Sequence, residues 1–173
     1  SCARLAQAGY QQYEISNWSR PGHECRHNLV YWRNGDWLGL GASAHSHWKG
    51  LRFADVYSPR RYIDLINETI AKGIDPAAQP RELLRRMRQV TYVEEQPPSA
   101  AMADAAILGL RLNEGVDVAT FEARYGASME DEYGPALTEM AGAGLLDRAD
   151  GRLLLTARGR LLANEVFVRL LPD

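Results

Sequence analysis

"SCARLAQAGYQQYEI", residues 1–15, opens on an alanine-rich helical pattern, reaches Gly9 and passes at once into the strand-like run from Tyr10 to Ile15. Glycine just past the last helical residue accepts the left-handed conformation that closes a helix. A helix leading straight into a strand is the second half of a βα repeat. The strand before such a helix is the parallel neighbour of the strand after it. No initiator methionine precedes the helical pattern. The expectation is therefore a chain that begins mid-fold, in an α/β architecture whose first parallel strand lies upstream.

Working outward, the strand gives way to a long polar loop, "SNWSRPGHECRHNLVYWRNGD" (16–36). "WLGLGASAHS" (37–46) follows, a short apolar strand opening into a glycine- and serine-rich turn. In parallel α/β sheets ligands lie beyond the carboxyl ends of the strands, where both polar stretches fall. "SPRRYIDLINETIAKG" (58–73) is the clearest helix. Ser58 can cap it, Pro59 suits its first turn, Tyr62, Leu65, Ile66 and Ile70 make one apolar face, and Gly73 ends it.

From Ile74 the composition turns to proline, glutamine and charge, with the arginine-rich piece "RELLRRMRQV" inside. The expected organisation is a first unit over 1–73, a linker over 74–98 and a mainly α domain over 99–173. In that last part Ser99, Asp117, Ser128 with Asp131, and Thr156 stand where helix caps are wanted. "LLDRADGRLLL" (145–155) reads as a hairpin around an Asp-Gly turn. Three helices and a two-stranded wing make a winged-helix-like domain. Such domains read DNA with a basic helix, yet the third helix carries Glu130, Asp131, Glu132 and Glu139 and no basic residue between Ala127 and Gly144. Nucleic acid is not an expected partner.

The net charge of −2 adds nothing in favour of a nucleic-acid or membrane surface. Two cysteines, Cys2 and Cys25, are too few for a disulfide framework, and no signal peptide is visible, so a reducing cytoplasm is the expected compartment. No apolar run approaches the length of a membrane span.

All four histidines lie between His23 and His47. His27 and Tyr31 are four apart and share a face if the loop is helical there, with Asn28 beside His27 to fix an orientation. An imidazole nitrogen is a common axial ligand of haem iron, and Leu29, Tyr31 and Trp32 can wall a porphyrin. The same residues can equally hydrogen-bond loop backbone and pack on the sheet. His45 and His47 form half of a zinc pattern with nothing to complete it. "GLGAS" alone is a weak sign of nucleotide approach. Arg85, Arg86 and Arg88 read as a solvated helix face.

"YEISNWSRPGHECRHNLVYWRNGDWLGLGASAHS" resembles the HemW-like haem chaperones, a radical S-adenosylmethionine family related to oxygen-independent coproporphyrinogen III oxidase. "ILGLRLNEGVD" and "GLLDRADGRLLLTARGRLLANEVF" resemble that family's C-terminal domain. The resemblance implies a fold made of the C-terminal βα elements of a partial radical-SAM barrel plus a winged-helix-like domain. It implies a haem-binding motif at His27, Asn28 and Tyr31, with His27 on the iron and the second ligand, Cys or Tyr, left open. It implies an S-adenosylmethionine rim near Ser16, Asn17, Gly41 and Ala42. His23 departs from the aromatic expected there. The family's 4Fe-4S cluster sits on Cys-x3-Cys-x2-Cys, which Cys2 and Cys25 do not supply, so this chain alone is expected to lack radical activity. The expected role is a portion of a chaperone that binds haem and passes it to respiratory haem proteins; the alternative is a portion of a coproporphyrinogen III oxidase in porphyrin biosynthesis.

Overall fold

In a computed structural model that describes residues 2–75 and 77–172, the first half of the chain runs α1 (Cys2–Gln7), β1 (Gln11–Gln12), β2 (Trp18–Ser19), α2 (Arg26–Trp32), β3 (His45–Trp48), β4 (Leu51–Asp55), α3 (Pro59–Lys72) and α4 (Pro80–Arg86). The second half runs β5 (Val90–Glu95), α5 (Pro98–Arg111), β6 (Val116–Asp117), α6 (Val118–Tyr125), α7 (Met129–Gly142), β7 (Leu146–Ala149), β8 (Arg152–Leu155), α8 (Ala157–Leu161) and α9 (Ala163–Val168). Ser1, Pro76 and Asp173 lie outside the described residues. The chain divides into two compact units, Ser1–Asn34 with Pro98–Asp173, and Gly35–Pro97.

The mixed α/β class holds, with helices around small sheets. Every strand ladder among the described residues is antiparallel, and they form no closed barrel. The run Tyr10–Ile15 shortens to β1, which pairs with β2. The cause is local. A tight reversal at Tyr13–Asn17, closed by the Tyr13 N–H on the Asn17 carbonyl, folds the chain back on itself. Glu14 instead bridges antiparallel to Leu112, just past the end of α5.

The winged-helix order is plain in the first unit: α5, β6, α6, α7, then the β7–β8 hairpin. Asp150 and Gly151 have φ of 50° and 73°, the two positive values that a two-residue hairpin turn of matching twist requires. β6, which the sequence did not announce, adds a third strand beside β8, in the order β6-β8-β7. Asp117 caps α6 on the Thr120 N–H and Thr156 caps α8 on the Gly159 N–H. Ser128 caps α7 through the Glu130 N–H, one residue short of the Asp131 position expected. Ser99 lies inside α5, which starts at Pro98. Leu110, Phe121, Met129, Met140, Leu153 and Val166 are among the buried residues of this core. Gly159 is fixed by space, since an added Cβ would stand 1.9 Å from the Leu145 carbonyl oxygen.

In the second unit β3, β4 and β5 form an antiparallel meander over Leu51, Phe53 and Leu84. Residues 74–98 hold α4 and β5. The stretch 37–46 is strand-like only at its ends, where Trp37 pairs with His47 and β3 begins, because Gly41 and Ser43 take positive φ between them. Ser58 and Pro59 start α3 and Gly73 ends it. Its inner face differs from the expected one: Leu65 and Thr69 are buried, and Ile70 is 67 % exposed. Thr69 can sit inside because its hydroxyl donates to the Leu65 carbonyl and accepts the Arg88 N–H.

Candidate functional site

The stretch "RHNLVYW" is helical, so the four-residue spacing of His27 and Tyr31 becomes a contact: the rings meet edge to face, centroids 4.8 Å apart and planes at 77°. His27 is exposed, Asn28 and Tyr31 half-buried. Among the described residues no hydrogen bond engages the His27 ring. The Cys25 thiol stands exposed at the start of the helix and makes no capping bond.

Three contacts hold α2 in place. The Arg111 guanidinium stacks on the Trp32 ring, 4.2 Å from its centroid. Arg33 pairs with Glu114 at 3.1 Å, and Arg124 donates to the Asn34 carbonyl at 2.9 Å. Arg111 is held in turn by Glu14, a fully buried carboxylate. One Glu14 oxygen accepts from the Ser16 N–H at 2.8 Å and Asn17 Nδ2 at 2.7 Å; the other accepts from Arg111 at 3.1 Å. Sequence reasoning missed this pair. Its one local signal is a carboxylate between Tyr13 and Ile15 in an otherwise strand-like run.

Ser16 and Asn17 therefore spend polar groups on the fold of their own loop. Gly41 and Ala42 belong to the other unit, where Gly41 has φ of 110° and donates its N–H to the Tyr62 hydroxyl. The two histidines of β3 have separate tasks: His47 is buried with Nδ1 3.1 Å from the Gly35 carbonyl, and His45 lies beside Tyr92. Among the described residues no group of three or more His, Cys, Asp or Glu side chains is placed to hold a metal ion, and both cysteines are exposed and unpaired. No described helix is long and apolar enough to cross a membrane.

Among the described residues three groups depart from ordinary acidity. Burial raises the Asp55 carboxyl, which lines a mostly apolar cavity of about 370 Å³. The Thr120 backbone N–H lowers Asp117, with help from the Thr120 side chain and Arg152. Burial pushes the Tyr133 hydroxyl up to about 12, with Glu132 and Tyr125 adding to it.

Residues 96–162 match the HemN C-terminal domain. Coproporphyrinogen III oxidase (HemN) from Escherichia coli, described as a radical SAM enzyme, shares the fold with a TM-score of 0.65 at 21% identity, over 97% of this chain and 38% of that one. The chain thus has a HemN-type fold and carries a HemN C-terminal domain. Its sequence is HemW-like within that class. It is 37% identical over 127 residues to the Heme chaperone HemW of Bacillus subtilis, covering 73% of this chain and 29% of that protein. The Synechocystis protein of the same name is 36% identical over 112 residues, covering 65% and 24%. That of Mycobacterium tuberculosis is 48% identical over 64, covering 37% and 16%. The chain spans less than a third of the length of these relatives.

Proposed function

We propose that this chain holds haem as cargo on α2, with the His27 imidazole on the iron, and serves within a cytoplasmic haem chaperone that passes haem to respiratory proteins. The observation that carries the reading is an exposed imidazole whose ring nitrogens have no hydrogen-bond partner among the described residues, set against Tyr31 on a helix that three contacts keep in one orientation. An open nitrogen with an aromatic neighbour fits a porphyrin approaching from solvent. Asn28, half-buried beside His27, would orient the bound group, and Tyr31 or Cys25 stands near enough in sequence to serve as a second ligand. S-adenosylmethionine in the whole protein would meet Ser16, Asn17, Gly41 and Ala42. A 4Fe-4S cluster does not fit the two cysteines here, and no step is assigned to one. The printed names of the sequence relatives favour the chaperone over the oxidase reading, which has the likeness of fold in its favour.

Haem titrated into the chain and into His27→Ala and His45→Ala tests the proposal. Loss of the nitrogen ligand leaves the apolar contacts, so His27→Ala should bind haem more weakly, with an altered Soret band, while His45→Ala stays like the parent. An unchanged spectrum and affinity for His27→Ala would return the loop to a purely structural role.

A further inference from the structure

The second unit holds a mostly apolar cavity of about 370 Å³. Trp48 and Phe53 line it from the sheet, Tyr62 and Ile66 from α3, and Leu84 from α4. Asp55 is the one charged residue that borders it. Alternation along β4 puts Leu51, Phe53 and Asp55 on one face, and the first two are core residues, so a carboxylate stands where the pattern calls for an apolar side chain. No side-chain hydrogen bond or ion pair engages it among the described residues, and burial alone raises its carboxyl. Lys49 lies over the Trp48 ring rather than on Asp55. A charge kept in apolar surroundings without a partner costs the fold stability, which makes Asp55 a poor structural choice and half of an ion pair whose other half comes with a ligand.

Gln89 adds a second open group to the same wall. It is 2 % exposed, its Oε1 accepts from the Thr69 hydroxyl at 3.3 Å, and its Nε2 meets no acceptor among the described residues. Neither group is sealed off: the described side-chain polar atoms that are both unpartnered and closed to solvent, Trp32 Nε1, Arg111 Nε and the Tyr125 hydroxyl, all belong to the other unit.

We propose that this cavity binds a small protonated amine with an apolar body, the ammonium on the Asp55 carboxylate and the body against Phe53, Tyr62 and Ile66. A carboxylate only accepts and an ammonium only donates, so the cation brings both the missing charge and the missing hydrogen bond. Aromatic faces in the wall favour a cation as well. The Gln89 amide is left to donate to an acceptor elsewhere on the ligand. The volume lies at the low end of small-molecule pockets, about 300–1,000 Å³, and suits a compact amine. No residue of α2 borders the cavity, nor do Gly41 and Ala42, so this inference rests on neither the haem nor the S-adenosylmethionine reading.

The test is calorimetric titration of the full chain with phenethylamine, and with phenylethanol as its uncharged counterpart. Phenethylamine should bind saturably and about tenfold tighter than phenylethanol, the worth of one hydrogen bond to a charged group. Asp55→Asn keeps the shape, removes the charge and should abolish that preference. Asp64→Asn, which alters an exposed carboxylate of the same unit, should leave both affinities as they are. S-adenosylmethionine has an ammonium of its own but a polar, charged body, and should not displace phenethylamine. The proposal is overturned if phenethylamine does not saturate, if the two probes bind alike, or if Asp55→Asn keeps the preference. Equal weakening by Asp64→Asn would reduce the binding to general attraction, and displacement by S-adenosylmethionine would make the cavity part of that ligand's rim; either result also overturns it.

Discussion

Replacing Glu14 by Gln keeps the shape of a side chain that is 0 % exposed and removes its charge. The carboxylate accepts from the Ser16 N–H, Asn17 Nδ2 and Arg111. A hydrogen bond to a charged group contributes about 1.5–3 kcal/mol, against about 0.5–1.5 kcal/mol between neutral groups. In Glu14→Gln the Ser16 and Asn17 donors keep an amide oxygen, and each loses about 1 kcal/mol. The new NH2 faces a guanidinium that has only donors, so the third bond disappears. Arg111 retains 23% side-chain exposure and recovers part of its solvation from water. The expected cost is about 2–4 kcal/mol, and Glu14→Ala, which strands all three donors, reaches about 3–5 kcal/mol. For a chain of this size that lowers the thermal midpoint by roughly 4–16 °C for the Gln variant. Melts followed by circular dichroism measure it. Since Arg111 also stacks on Trp32, the proposed haem site adds a second expectation, weaker haem binding by the same variant with an unmoved Soret band. A Glu14→Gln protein that melts within about 1 °C of the parent would refute the reasoning, because the charge would then contribute nothing to this node.

Gly159→Ala should cost more than about 2 kcal/mol, because the new methyl meets the fixed Leu145 carbonyl at 1.9 Å; Gly142→Ala, with nothing within 4 Å, should be neutral or stabilising in the same melts. Asp117 has a folded pKa below its ordinary 3.8, so its stabilisation is complete above 3.8 and is lost as pH falls through the lower folded value. Asp117→Asn should flatten the acid limb of a pH series of unfolding midpoints. Asp55 is the opposite case: burial raises its folded value, so nothing is lost below 3.8, where the carboxyl is protonated in both states, and stability falls as pH rises through the folded value. Asp55→Asn should therefore melt higher than the parent at neutral pH and equal to it below 3.8, as scanning calorimetry at the two pH values would show.

What the sequence disclosed was local. The hairpin could be read because Asp150 and Gly151 are themselves the turn, and the caps because Asp117 and Thr156 bind amides within three residues. β6 escaped because a two-residue strand has no periodicity, and its partner β8 is distant in sequence. The inner face of α3 was misjudged by one position, since hydropathy favours Ile70 over Thr69 and takes no account of a hydroxyl that has two partners. The run from Tyr10 to Ile15 reads as one strand by composition, but it shortens to β1 because a reversal inside the same segment folds it onto β2. At the candidate site the shared face of His27 and Tyr31 followed from helical spacing alone. Glu14 and Arg111 stand 97 positions apart, so no window of sequence joins them.

The winged-helix topology occurs here with an acidic third helix in place of a basic one. α7 shows phosphate an acidic face, and two of its carboxylates are occupied within the unit, Glu130 by Arg148 from the wing and Glu139 by Arg169. An arginine of the wing paired with a glutamate of the third helix is not presented to phosphate. The main tie to the preceding loop lies at the end of α5, where the Arg111 carbonyl takes the Ile15 N–H, Asn113 donates to the Tyr13 carbonyl and the Arg111 side chain reaches both Glu14 and Trp32. Backbone and side chain at one helix end thus fix the loop after β1 and the helix that presents His27. The domain acts as a frame for α2: a packed core behind a short helix that, at seven residues, is too short to keep its shape alone.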